Sequence, residues 1–286
     1  MLAVCFCELQ YMHSEKQKDG KVLGLMTKNG LLKSLSKNHE YILYYAKTLL
    51  RQRVAGSYLG ILWLYIQPFM FMLIYSFVVT NVFNQSTPNF NIFVLIGLNA
   101  WTLFQRTLMI GATAIVRNKS IFQQVYFHKF VYPTIYLISY VYEFLISSSL
   151  VFIMMAFAGV PFTWHIIEFI PVLFCCILLT YAFTLVFSHI GVYLYDLANI
   201  LEFTLRFLFY LTPIMWSLER LEGTSFAMIM KFNPMASIIN SFRDCLMYGR
   251  SPDYLALLII SVCSCIVILI GYKLISKYED AYARII

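Results

Sequence analysis

The sequence predicts an all-α integral membrane protein: six transmembrane helices, an N-terminal amphipathic interface helix, and short re-entrant helices before the last span. Three observations carry this prediction. Of 286 residues, 60% are hydrophobic and only 12% are charged, whereas a soluble domain carries about 25% charged residues. Aromatics reach 17%, with 25 Phe and 21 Tyr. No Asp, Glu, Lys or Arg occurs between Arg53 and Arg106, a stretch long enough for two crossings at about 20 residues each. So few charges cannot cover a water-facing surface. A soluble enzyme, a disordered chain and a nucleic-acid-binding protein are excluded.

The elements follow in chain order. Residues 1–38 are polar and Lys-rich and read as a cytoplasmic tail; the apolar start is too short for a signal peptide and no basic residue precedes it. Residues 39–280 form the membrane domain, and 281–286 a cytoplasmic end. At 100° per residue, Glu40, Tyr44, Lys47 and Arg51 share a polar stripe, while Tyr41, Ile42, Tyr45, Ala46, Leu49 and Leu50 cover the rest. That pattern predicts an amphipathic helix at 40–55, lying in the inner headgroup plane. Spans fall near 60–83, 91–113, 133–158, 167–191, 198–216 and 254–275. The segment 217–253 is too apolar for a loop, yet its apolar runs are too short to span. It reads as re-entrant helices broken at Asn233-Pro234, or as a cap on the bundle.

Orientation follows from the short loops. Those at 84–90 and 159–166 hold no Lys or Arg; the one at 115–132 holds Arg117, Lys119 and Lys129, and the C-terminal flank holds Lys273, Lys277 and Arg284. The positive-inside rule puts 115–132 and both termini in the cytoplasm of a multi-pass plasma-membrane protein. The net charge of +7, concentrated before the first span, reads as a flank attracted to anionic headgroups.

Catalytic chemistry is missing. The chain has no phosphate-binding G-x-x-x-x-G-K-[ST] loop, no H-E-x-x-H, no C-x-x-C and no serine elbow. The seven Cys lack framework spacing, so neither a catalytic nor a metal site is expected. Charges within spans are costly and count as candidates for function. Arg106 and Glu143 are placed to pair across the bundle, and Glu202 and Arg206 to pair at i, i+4 on one helix. An internal ion pair that fixes packing and a pathway lining are both open readings. On the first span Trp63, Gln67, Phe71 and Tyr75 recur in four-residue steps; on the fifth, Phe203, Phe207, Tyr210 and Trp216 form a similar set. Such aromatic faces suit sugar rings as well as lipid tails.

The run from Arg51 to Trp63 (RQRVAGSYLGILW), followed by Gln67-Pro68, resembles the opening of type-2 ABC transporter permeases that export polysaccharides: O-antigen, capsule and teichoic acid. The likeness continues in order. Leu95-Ile96-Gly97-Leu98-Asn99-Ala100-Trp101 is similar to the second-span signature, Asn118-Lys119-Ser120-Ile121-Phe122 to the start of the coupling segment, and Pro133 to the opening of the third span. Thr212-Pro213-Ile214-Met215-Trp216 is similar to the end of the fifth span; Asn233-Pro234, Arg243 and Gly249 resemble the signals before the last. Two positions depart: Phe127-His128 stands where the family has F-P, and Tyr195-Asp196 where it has R-D.

The resemblance implies a permease homodimer with two copies of a separate ABC ATPase. This chain would bind no cofactor; ATP and magnesium would sit on the ATPase. Lys47, Arg51, Arg53, Arg117, Asn118, Lys119, Ser120 and Phe122 would face the ATPase. The aromatic sets on the first and fifth spans would line the path of a lipid-linked polysaccharide, and 217–253 would form outward gate helices. An exporter of a drug or lipid and a membrane-embedded glycan-modifying enzyme are the alternative readings.

Overall fold

A computed structural model describes residues 38–82, 88–119, 128–217, 230 and 232–285. The tail up to residue 37, Ser120, Phe122 and much of both the coupling stretch and the 217–253 segment lie outside the described residues. All regular structure among the described residues is helical. A compact unit runs from Glu40 to Ile286.

Helix α1 (His39–Val54) carries Glu40 in its first turn and Arg51 and Arg53 in its last, charges that match the helix dipole. Ile42 and Ala46, one turn apart, are buried, while Glu40, Tyr44, Lys47 and Arg51 are exposed. Gly56 and Gly60 then turn the chain with positive φ, which glycine adopts without a Cβ clash. Helix α2 (Trp63–Phe77) follows a short 3₁₀ turn and runs into a π-helical turn, Val78–Val82.

Helix α3 (Phe90–Ala112) is the centre of the bundle, packed by α2, by α4 (Val131–Phe157), by α5 (Phe169–Tyr193) and by α7 (Pro234–Arg243). Close approach depends on glycine. A Cβ on Gly111 would lie 2.2 Å from Thr184 Cγ2, and one on Gly191 2.2 Å from the Ala112 carbonyl oxygen. Small residues of this kind let helices in a bilayer meet backbone to backbone. Helix α8 (Tyr254–Lys277) packs along α5. Its first turn is capped by Asp253, whose Oδ1 accepts from the N–H groups of Leu255 and Ala256 at 3.1 Å each. The chain closes on α9 (Glu279–Ile285).

Among the described residues, five helical stretches are long and apolar enough to cross a bilayer: Gly60–Asn81, Phe90–Ala112, Val131–Phe157, Trp164–Tyr193 and Tyr254–Lys277. These correspond to the first four expected spans and the last. The remaining expected span, 198–216, differs. Helix α6 (Leu197–Leu211) has 15 residues, about 22 Å at 1.5 Å per residue, short of the roughly 30 Å hydrocarbon core. It stops because Thr212 precedes Pro213 and takes the extended conformation (φ −74°, ψ 140°) that a following proline favours.

Candidate functional site

A polar cluster forms where α1, α2, α3 and α4 meet. Glu143 on α4 is nearly buried and accepts from two arginines: Arg53 Nη1 donates to Oε2 at 2.8 Å, and Arg106 Nη1 donates to Oε1. Arg106 Nη2 also donates to Gln67 Oε1 at 2.9 Å. The Arg53 guanidinium lies 3.7 Å above the Tyr140 ring. A carboxylate in an apolar bundle needs such partners, because an isolated buried charge is prohibitively costly. Beside the cluster, between α2, α3 and α4, opens a small cavity of about 50 Å³, lined by Gln67, Phe71, Thr102 and Arg106 among others. Deeper in, Asn99 Nδ2 donates to Ser148 Oγ at 2.9 Å, and Ser147 Oγ donates to Asn99 Oδ1. The expected Arg106–Glu143 pair is therefore present. Arg53, placed by resemblance among ATPase-facing residues, reaches Glu143 through its guanidinium.

A second centre gathers residues that sequence reasoning left scattered. Arg243, at the end of α7, is 1% exposed. It donates to the carbonyl oxygens of Pro213 (2.7 Å) and Ile214 (2.8 Å), to that of Phe93 (3.3 Å) and to Asn240 Oδ1 (3.3 Å). Its guanidinium also lies 3.4 Å over the Phe93 ring. Carbonyls freed by the break after α6 thus become acceptors for a buried cation. Gly97 leaves room for it, since a Cβ there would lie 2.8 Å from Arg243 Nη2. Asn233 caps α7, its Oδ1 accepting from Met235 N–H at 3.0 Å while its Nδ2 donates to Thr212 Oγ1 at 3.1 Å; Pro234 takes the first helical turn. The motif residues Gly97, Thr212, Pro213, Ile214, Asn233 and Arg243 thus meet in one place. Arg243 was absent from the expected site residues; the signal was a lone cation in an apolar run nine residues after Asn-Pro.

The aromatic sets divide. Trp63, Phe71, Phe203, Phe207 and Tyr210 are exposed, as is Gln67 despite its bond to Arg106. Tyr75 is half-buried, stacked with Phe71 at 6.3 Å and tilted against Phe209 of α6 at 5.8 Å. Trp63 Nε1 donates to Ser57 Oγ at 2.9 Å. Trp216 lies past the end of α6, with Nε1 donating to the Tyr210 carbonyl at 3.4 Å. On α6, Leu197, Leu201 and Leu205 face inward while Glu202 and Arg206 pair at 2.8 Å on the exposed side.

On the residues assigned to coupling, Lys47, Arg51, Arg117 and Lys119 are exposed. Asn118 is buried, with Nδ2 donating to the Ala114 carbonyl at 2.6 Å. Where the chain re-enters at His128, Glu279 of α9 accepts from Lys129 N–H at 3.0 Å and faces His128 Nδ1 at 3.2 Å. Burial pulls the Lys129 ammonium below the usual lysine range, against the opposing pull of Glu279 and Asp280. On the loops flanking α5 and α8, Ser251, His165 and Glu168 approach one another. Both Ser251 Oγ (3.4 Å) and Glu168 Oε2 (3.1 Å) face the same His165 nitrogen, Nδ1. A nucleophilic triad needs the serine and the carboxylate on opposite ring nitrogens, so this trio is a hydrogen-bonded loop clamp.

Among curated proteins, the chain is 29% identical over 237 residues to the O-antigen export system permease protein RfbA of Myxococcus xanthus, covering 82% of this chain and 91% of that protein. It is 25% identical over 239 residues to the O-antigen export system permease protein RfbA of Klebsiella pneumoniae, covering 83% and 91%. The family model described as ABC-2 type transporter matches residues 41–247, from the first turn of α1 through the Arg243 centre. This multi-pass membrane protein belongs to the ABC-2 type transporter family.

Proposed function

We propose that the chain is the membrane-spanning subunit of an ATP-driven ABC exporter that moves a lipid-linked polysaccharide across the bacterial plasma membrane. The observation that carries this reading is the match, over more than four-fifths of the chain, to permeases named for O-antigen export. The exposed aromatic faces of α2 and α6 support it, because stacked rings hold a sugar polymer at many weak, equivalent positions and let it slide. In this reading two copies of the chain pair with two copies of a separate ATPase, which binds ATP and magnesium. Both termini are cytoplasmic. Helix α1 lies in the inner interface beside the ATPase, 115–130 couples to it, 217–253 gates the outer mouth, and α6 with its broken end makes the sixth crossing. O-antigen, capsular polysaccharide and teichoic acid all fit as cargo.

The test is to deplete the chain and size the lipid-linked glycan on each face of the membrane. Long polymer accumulating inside while surface polymer falls is the expected outcome. A flat lipid-linked pool with unchanged surface polymer removes the glycan reading and leaves a drug or lipid as cargo. Trp63→Ala and Tyr75→Ala slow export without changing assembly; normal export in both removes the stacking mechanism.

A further inference from the structure

The cavity between α2, α3 and α4 carries more positive charge than its carboxylate needs. One cation is enough to neutralise Glu143, yet Arg53 and Arg106 both bind it, and the formal sum of the three is +1. A guanidinium has five N–H donors. Among the described residues Arg106 gives one to Glu143 and one to Gln67, and its side chain stays 37% exposed. Arg106 lines the cavity, so its remaining donors are open to an acceptor bound there. Around that cation the lining is mixed: Leu64, Phe71 and Leu103 give an apolar wall, and Asn99 and Thr102 give polar groups. A cation at one end of an apolar-walled cavity matches an amphiphile with an anionic head.

We propose that this cavity binds the phosphate group of a lipid, its oxygens taking the outer N–H groups of Arg106 and its chain lying along Leu64 and Phe71. Phosphate suits the site because the planar guanidinium fork meets two of its oxygens at once. Glu143 and Arg53 hold Arg106 in place; Glu143 also weakens the field, so that the head is not trapped. The proposal rests on the export reading for its cargo. Two sources supply this chemistry: the phosphorylated carrier of a lipid-linked glycan, and bulk glycerophospholipid.

The test uses the full chain in maltoside detergent with fluorescent farnesyl diphosphate as probe. Arg106→Gln weakens binding at least about tenfold, the loss that goes with one charge-assisted hydrogen bond, and Arg106→Lys restores most of it. Glu143→Gln tightens binding several-fold, because it removes the carboxylate that competes with the phosphate. A purely structural ion pair gives the opposite sign: Arg106→Gln and Glu143→Gln then weaken binding together, Arg106→Lys does not rescue, and the proposal falls. Unchanged binding in all three variants also overturns it. Displacement of the probe by dihexanoyl phosphatidylglycerol as strongly as by unlabelled farnesyl diphosphate assigns the site to bulk lipid; weak displacement assigns it to the glycan carrier. In cells, surface glycan that persists with Arg106→Gln but vanishes on depletion of the chain overturns the cargo role and leaves the export reading intact. Surface glycan unaffected by depletion removes the export reading, while probe binding still stands or falls by the variant series.

Discussion

Helices α2 and α3 lie side by side, and each has the length and composition of a membrane span, yet their surroundings are opposite. In α3, 78% of the apolar 18-residue stretch is buried inside the chain; in α2 the share is 17%. The buried helix is the less apolar of the two, and the least apolar of all five spans. In water this ordering would be strange. In a bilayer it is expected, because lipid tails are as apolar as a protein core and hydrophobicity no longer drives helices together. Polar and small residues do so instead. Helix α3 carries Gly97, Asn99, Arg106 and Gly111, and each meets a neighbour: Arg243, Ser148, Glu143 and Thr184 respectively. Helix α2 presents Trp63, Phe71 and Phe77 outward, and its main polar attachment to α3 is Gln67 with Arg106.

The largest test of this contrast is Arg243→Met. It strips donors from three buried carbonyls, those of Phe93, Pro213 and Ile214, and detaches α7 from α3. A stability loss of about 3 kcal/mol is expected, since each buried carbonyl left without a donor costs about 1–3 kcal/mol. Thermal melting of the detergent-solubilised protein measures it, and an unchanged melting temperature would show that α3 is held by packing alone.

Next is Gly191→Ala. Its Cβ would meet the Ala112 backbone oxygen at 2.2 Å, which no side-chain rotation relieves, so α3 and α5 must separate. A loss of about 1–3 kcal/mol follows, as for overpacked cores, and proteolytic clipping between α3 and α5 should rise with it. Resistance to clipping equal to that of the native chain would break the argument.

Asn99→Leu should cost less, about 1 kcal/mol. The hydroxyls it abandons keep other acceptors, since Ser147 and Ser148 both also donate to the Phe144 carbonyl, at 3.0 and 2.7 Å. A loss as large as that of Arg243→Met would mean that the amide network, and not the Arg243 centre, organises α3.

The smallest effect on stability falls on the exposed faces. Phe71→Ala and Phe207→Ala should change it by less than about 0.5 kcal/mol, as exposed positions do, while slowing glycan export in cells. A marked drop in melting temperature with export intact would reverse the roles given to α2 and α6.

Much of this was legible in the sequence. Charge-free stretches located the spans, and the polar stripe Glu40, Tyr44, Lys47, Arg51 gave the exposed side of α1 because helical period fixes which side chains share a face. Even the end of α6 was written in Thr212-Pro213, although the apolar run continues to Trp216 and the expected span continued with it. Hydropathy counts side chains, whereas a proline stops a helix through the backbone.

Composition and period, then, determined that the chain is helical and immersed in a membrane. Both are local properties: each residue's transfer free energy and each backbone's preferred dihedrals are carried by the residue itself. Tertiary structure alone decided which helix is central, that Arg53 turns inward to share Glu143 with Arg106, and that Gly97, Thr212-Pro213-Ile214, Asn233 and Arg243 are one assembly. Those facts depend on pairings across 21 to 150 residues of chain. In a bilayer such pairings are chosen by close fit and hydrogen bonding between helix faces, and a count of apolar residues carries no record of them.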